Sequence, residues 1–171
     1  ESVNEDALEK LEQEGVRVYP RAHALRTIKN KITQKEFYQT LQLPTAPFVI
    51  TQNLADVKAH EHFIPAVHKV GTGGYDGRGV QVIKTKDDIE KAFDAPGVLE
   101  KMVHIRQEIA IIVAMNDQGE TAFYPPIDMV FDPRLNLLDY QISPAELTDE
   151  VLWKAEAIAL SVVKGLKSPG L

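Results

Sequence analysis

The chain reads as an α/β protein of the α+β kind, with mixed and antiparallel sheets flanked by helices. Three observations carry this reading. Apolar residues recur at helical spacing in some segments and in alternating or continuous strand patterns in others. A glycine-rich stretch, Gly71 to Gly79, places five glycines in nine residues between two apolar segments that both read as strands. Asn116-Asp-Gln-Gly119 is a hairpin signal between two further strands. The 171 residues allow one domain of ordinary size or pieces of two, and a hydrophobic fraction of 44% can fill a core.

The elements follow in order. Residues 5–14 read as an amphipathic helix, with Asn4 as cap, Glu5 and Asp6 in the first turn and Gly15 as stop. Val16 to Tyr19 reads as a short strand halted by Pro20. A helix from Ala22 breaks near Asn30, and a second, from Lys31 to Leu41, ends before Pro44. Pro47 to Thr51 is a strand, and Leu54 to His60 a short helix. Ala66–Val70 and Val80–Ile83 flank the glycine stretch, and Lys86–Phe93 reads as a helix capped at Thr85. Gly97–Lys101 and Glu108–Met115 are strands; Thr121–Tyr124, Ile127–Phe131 and Leu137–Ile142 extend the sheet. Thr148 or Asp149 caps a last helix, Val151 to Leu166. Its apolar residues Val151, Leu152, Trp153, Ala155, Ile158, Ala159 and Val162 are expected in the core.

Composition excludes several classes. A formal charge of −6 argues against nonspecific binding to nucleic acid or an anionic membrane. Without cysteine there is no disulfide framework and no thiolate metal site. No apolar run approaches the ~18 residues of a membrane span, and no signal peptide opens the chain, so a cytoplasmic protein is expected. His23, His60, His62, His68 and His104 lack zinc-ligand spacing, and Asp128, Asp132 and Asp139 read as loop and strand-edge acids. Ser143 precedes Pro144 without a glycine elbow, which leaves an acyl-transfer site unsupported.

The glycine stretch is the chemically distinctive feature. Glycine permits positive φ and close approach of backbone to a ligand, and successive unobstructed N–H groups form an anion nest. Lys69 and Arg78 bracket it with positive charge. No Gly-Lys-Ser/Thr follows, which excludes a Walker A loop, and it does not open a helix, which excludes a dinucleotide fingerprint. The residues alone leave two readings: a mobile clamp over phosphates, or a flexible hairpin tip.

Pro65-Ala-Val-His-Lys69 followed by Thr72-Gly-Gly-Tyr-Asp-Gly-Arg-Gly79 closely resembles the phosphate-clamp segment of the N5-carboxyaminoimidazole ribonucleotide synthetase family of ATP-grasp ligases. Asn30-Lys31-Ile-Thr-Gln-Lys-Glu-Phe37, Leu43-Pro-Thr-Ala-Pro47, Leu99-Glu-Lys-Met-Val103 with Glu108, Ala122-Phe-Tyr-Pro125 and Ile142-Ser-Pro-Ala145 resemble further family segments in the same order. The resemblance implies an ATP-grasp fold truncated at both ends. Residues 1–20 would be the remnant of a Rossmann-like N-terminal domain and 21–52 linking helices and a strand. Residues 53–104 would be a small lid subdomain and 105–171 the first part of the large subdomain. A start at Glu1 and a stop just past a helix fit such a fragment.

The activity so implied is ATP-dependent carboxylation of 5-aminoimidazole ribonucleotide with bicarbonate, through carboxyphosphate, in purine biosynthesis. The cofactors implied are ATP and Mg2+. The partners are those small molecules, with no nucleic acid and no membrane, and the intact enzyme would be a homodimer. Metal-binding carboxylates are expected beyond Leu171, so the fragment is expected to bind ATP weakly without turnover. Another ATP-grasp ligase, such as formate-dependent purine transformylase, and a noncatalytic nucleotide-binding module remain open; the Gly-Gly-Tyr-Asp-Gly-Arg-Gly string favours the first assignment.

Residue by residue, the resemblance assigns Lys69 and Lys31 to nucleotide phosphates. It assigns Gly74, Tyr75, Asp76, Gly77, Arg78 and Gly79 to the lid, with Asp76 shaping the turn. Glu100, Lys101 and Val103 correspond to the hinge that reads adenine, largely through backbone groups, and Glu108 to the acceptor for ribose hydroxyls. Phe131 stands where the family commonly carries a nucleotide-binding histidine.

Overall fold

The computed structural model describes residues 3–74, 79–132, 134 and 137–170. They divide into two units, one of described residues within 27–40 and 44–104, the other of described residues within 3–26, 41–43 and 105–170.

The first unit is built on a four-stranded antiparallel sheet. Its strands are β1 (Phe48–Thr51), β2 (Ala66–Val70), β3 (Val80–Ile83) and β4 (Gly97–Lys101), in the order β1-β4-β2-β3. Strand alternation gives the sheet two different faces. On one, Ala66, Ile83 and Leu99 are sealed from solvent and pack with Val57, Ile89 and Ala92. Val57 lies on α4 (Leu54–Ala59), whose Asn53 cap accepts a bond from the Asp56 N–H at 3.0 Å. The expected helix at 86–93 is instead a 3-10 turn, Lys86–Lys91, opened by a Thr85–Asp88 capping box. Its Ala92 N–H bonds to Ile89 O, and the chain continues from there in extended conformation. The other face carries Val67, Lys69, Val98 and Glu100, and α3 (Lys31–Thr40) packs against β4.

His68 sits on the core face with no exposed surface. The Phe93 backbone N–H donates to its Nδ1 at 3.2 Å, so Nε2 carries the proton and donates to Thr51 Oγ1 at 3.0 Å. The neutral ring is thus fully satisfied. Gly97 faces it across the sheet: a Cβ there would lie 2.4 Å from Lys69 O and 3.0 Å from His68 Nε2.

The second unit contains α1 (Glu5–Gln13), a three-stranded sheet, a separate hairpin and a long helix. Asn4 caps α1 through the Ala7 N–H at 3.0 Å, and Gly15 ends it at φ +85°. The helix α2 (Ala22–Lys29) carries the chain across the boundary between residues 26 and 27. The three-stranded sheet has the order β5 (Ile109–Ala110), β8 (Ile127–Asp132), β9 (Leu137–Ile142). The hairpin is β6 (Val113–Met115) with β7 (Thr121–Phe123), turned by Gly119 at φ +78°. The helix α5 (Asp149–Leu166) is capped by Thr148 and packs on β6.

Three expectations are corrected in this unit. Val16–Tyr19 forms no strand, because Val16 N–H closes the end of α1 on Leu11 O and the segment joins no sheet among the described residues. The expected strand 108–115 divides into β5 and β6, which join different sheets. Trp153 and Val151 are exposed, at 67% and 45%, because they lie away from the side of α5 that packs. Leu152, Ala155, Ile158, Ala159 and Val162 are half-buried.

The His68 environment generates a test. Burial holds its imidazolium pKa below the ordinary value of 6.5. Below 6.5 the unfolded chain takes up a proton that the folded ring refuses, so stability falls as pH drops through that range. An NMR titration of the ring should give a midpoint below 6.5, with the Nε2–H tautomer above it. A midpoint at or above 6.5 contradicts this account.

Candidate functional site

The sequence predicts a site around Lys69 and the glycine stretch, and the fold explains how their ends are held. Lys69 lies near the end of β2, and Gly79 immediately precedes β3. Val70 N–H donates to Gly79 O at 3.0 Å, closing the base of the loop. A Cβ on Gly79 would come within 2.6 Å of Val70 Cγ2 and 2.9 Å of Gly74 Cα, and its φ is +79°. Only glycine fits there, on both steric and conformational grounds.

Gly71 fixes the entry to the loop. Its N–H donates to Pro96 O at 2.9 Å, and its carbonyl accepts from Lys31 N–H at 2.8 Å. The first N–H of α3, one of those a helix leaves unpaired, is therefore spent on the loop. Asn30 Oδ1 accepts from Ile32 N–H at 2.9 Å and caps the same end. This places the Lys31 backbone directly at the loop entry. Tyr75, Asp76, Gly77 and Arg78 lie outside the described residues.

Glu100 is the centre of the site. It points from β4 to the α3 face and is 6% exposed. One carboxylate oxygen meets Lys35 Nζ of α3, and the other meets Lys69 Nζ of β2. The register accounts for the second contact. Glu100 stands opposite Val67, and Lys69 is its diagonal neighbour, two residues along. Lys35 also donates to Thr45 Oγ1, and its ammonium lies 5.3 Å from the Phe48 ring centroid and 5.8 Å from that of Tyr38. Burial alone pushes the Glu100 carboxyl up. Hydrogen bonds and charge from Lys35 and Lys69 outweigh that and hold it below the ordinary carboxylate value. Burial also raises the Tyr38 phenol, with the Glu100 charge adding to the effect.

The three side chains differ in exposure. Lys35 is 10% exposed and Glu100 8%, whereas Lys69 is 33% exposed. The cluster carries a net charge of one positive unit, and only Lys69 turns it toward solvent. Lys35 belongs to the Asn30–Phe37 segment that carries the resemblance, which assigns it no role of its own. Its position one helical turn after Lys31, on a helix leading into this sheet, was the available signal.

The hinge residues separate by environment. Glu100 backbone groups lie within the sheet, between β1 and β2. Lys101 N–H donates to Pro47 O at 2.8 Å, and its side chain is exposed. Val103 is 53% exposed in a segment without regular structure. Glu108 belongs to the other unit, where its carbonyl accepts from Met129 N–H at 2.9 Å. A shallow cavity of about 470 Å³ opens beside it, lined by Arg106, Asp128 and Phe131 among others. Among the described residues, no three His, Asp or Glu side chains converge on a cation position.

Glu100→Ala should leave two ammonium groups without their shared counter-charge. Breaking a buried ion pair by removing one partner costs about 3 kcal/mol or more. Urea unfolding should therefore show a loss of that order. A loss below about 1 kcal/mol, the level of a surface pair, would mean the cluster is solvated.

Residues 36–171 match the family model of the ATP-grasp domain. The N5-carboxyaminoimidazole ribonucleotide synthase of Pseudomonas aeruginosa is 35% identical over 123 residues, covering 68% of this chain and 34% of that protein. The crystal structure of N5-carboxyaminoimidazole ribonucleotide synthetase from Thermotoga maritima has a TM-score of 0.82 at 31% identity, covering 98% of this chain and 42% of that one. The crystal structure of carboxyaminoimidazole ribonucleotide synthase from Aspergillus clavatus complexed with ATP has a TM-score of 0.85 at 29% identity, covering 98% and 45%. The chain thus spans less than half the length of these relatives. The expected combination of helices with antiparallel sheets agrees with their fold. Matched over most of its length and alike in architecture to these synthetases, the chain belongs to the ATP-grasp family.

Proposed function

We propose that this chain carries the ATP-binding part of an enzyme that carboxylates 5-aminoimidazole ribonucleotide. The observation that carries the reading is the glycine loop base. Its two ends are held together by Val70 and Gly79, its entry is tied to the start of α3, and Lys69 emerges beside it. The Aspergillus clavatus relative, similar over 98% of this chain, is complexed with ATP.

In the proposed reaction, a bicarbonate oxygen attacks the γ-phosphorus of ATP and ADP leaves, giving carboxyphosphate. The amine of 5-aminoimidazole ribonucleotide then attacks the carboxyl carbon, loses a proton, and inorganic phosphate leaves. Such chemistry depends on positioning and charge neutralisation more than on covalent help. Lys69 and Lys31 supply positive charge, and the amides from Gly74 to Gly79, with Arg78, close over the phosphates. The hinge at Glu100, Lys101 and Val103 serves adenine through backbone groups rather than through the Glu100 carboxylate, which is taken by Lys35 and Lys69, and Glu108 serves the ribose. A closed loop excludes water, which would otherwise destroy carboxyphosphate.

Among the described residues no three His, Asp or Glu side chains come together to hold Mg2+. Residues 53–104 act as the lid subdomain and 105–171 as the first part of the large subdomain, following a remnant at 1–20. Family resemblance supports a homodimeric, cytoplasmic intact enzyme. No helix among the described residues is long and apolar enough to cross a membrane.

Calorimetric titration of the chain with ATP tests the reading. Lys69→Ala should weaken ATP binding about ten- to a hundredfold, the range for loss of a hydrogen bond to a charged group, while adenosine binding stays unchanged. Equal affinity of wild type and variant for ATP would remove Lys69 from the phosphate site.

A further inference from the structure

Two lysines share one buried carboxylate, yet only one of them turns toward solvent. A glutamate facing Lys69 alone would cancel its charge and set an anion against incoming phosphate. Lys35 changes that balance. It takes one oxygen of Glu100 from inside the protein, at 10% exposure, with Thr45, Phe48 and Tyr38 around its ammonium. Glu100 holds Lys69 in place through its other oxygen.

We propose that Lys35 is a positioning residue that neutralises Glu100, so that Glu100 aims Lys69 at a polyphosphate without extinguishing its charge. The proposal rests on the nucleotide reading above and adds a charge rule to it. What the site requires is a net single positive charge on the cluster, with Lys69 as its outward member. Lys35 itself touches no ligand; it acts through Glu100. Its near-complete burial separates it from an ordinary surface lysine, whose charge would be solvated and screened.

The rule makes a prediction that simple packing does not. Lys35→Met keeps an unbranched side chain, one atom shorter, but leaves the cluster neutral, with Glu100 facing Lys69 alone. Lys35→Met combined with Glu100→Gln restores the single positive charge while removing both buried charges. Replacement of a buried ion pair by uncharged groups of similar shape is commonly tolerated by a fold.

The experiment is calorimetric titration of wild type, Lys35→Met, Glu100→Gln and Lys35→Met/Glu100→Gln with ATP and with adenosine, alongside thermal unfolding. A nucleotide-free readout accompanies it: the rate at which an N-hydroxysuccinimide acetate acylates Lys69, followed by mass spectrometry. Lys35→Met should weaken ATP about tenfold, the effect of one lost charge contact of about 1.4 kcal/mol, and leave adenosine unchanged. The double variant should return to within about threefold of wild type for ATP. Lys69 should acylate more slowly in Lys35→Met than in wild type, and more rapidly in Glu100→Gln. A double variant as weak as Lys35→Met, or an ATP affinity unmoved by Lys35→Met, would overturn the charge rule. Failure of the acylation order would overturn the arrangement itself. The expected acylation order in a wild type that binds no ATP would leave the lysine arrangement standing, and would overturn the nucleotide reading together with the phosphate role drawn from it.

Discussion

A carboxylate buried on the central strand governs the glycine-loop unit. Glu100 occupies β4, which is flanked on both sides by other strands, and it faces the helix rather than the apolar core. Burying a charge there is costly unless it is paired and fully hydrogen-bonded. Lys35 and Lys69 meet that requirement from two different elements, so the ion triplet also fixes how α3 lies on the sheet. No buried side-chain nitrogen or oxygen among the described residues is left without a partner. The polar face is therefore as completely specified as the apolar one.

The two faces of the sheet divide the labour. The core face supplies stability through Ala66, Ile83 and Leu99, each sealed from solvent. The opposite face carries the charged groups Lys69 and Glu100, against which α3 packs and to which it contributes Lys35. Between them, β2 alternates: His68 points into the core and Lys69 points away from it. Anchoring His68 between Thr51 and Phe93 therefore steadies the backbone that carries Lys69.

Local patterns made most of this unit legible in the sequence. β2, β3 and β4 have the bounds that alternation and glycine punctuation suggest, and Thr85 caps the turn that follows it as expected. What stayed hidden depends on pairing between distant segments. Lys35 meets Glu100 only because the strand order β1-β4-β2 sets β4 beneath α3, and nothing near Lys35 in the chain announces an acid. The break between β5 and β6 is hidden by an unbroken apolar run, Ile109 to Val113, which fits one strand as well as two. Trp153 shows the same limit in a helix. Its spacing identifies the helix, but which side of α5 is covered depends on β6.

Gly97 shows why a glycine motif understates the constraint on this site. The cluster from Gly71 to Gly79 is conspicuous as a string, whereas Gly97 stands alone at the start of β4. Yet a Cβ at Gly97 would meet the Lys69 carbonyl at 2.4 Å, closer than any contact a Cβ on Gly71 would make. The absence of that carbon lets β4 close against β2 where Lys69 sits. Lys69 is then bounded twice: its backbone by Gly97, and its ammonium by Glu100. A side chain with four rotatable carbons loses much conformational freedom when held so. That loss is incurred on folding and not when a ligand arrives, so a preset cation at a loop base favours binding even where the contact itself is modest.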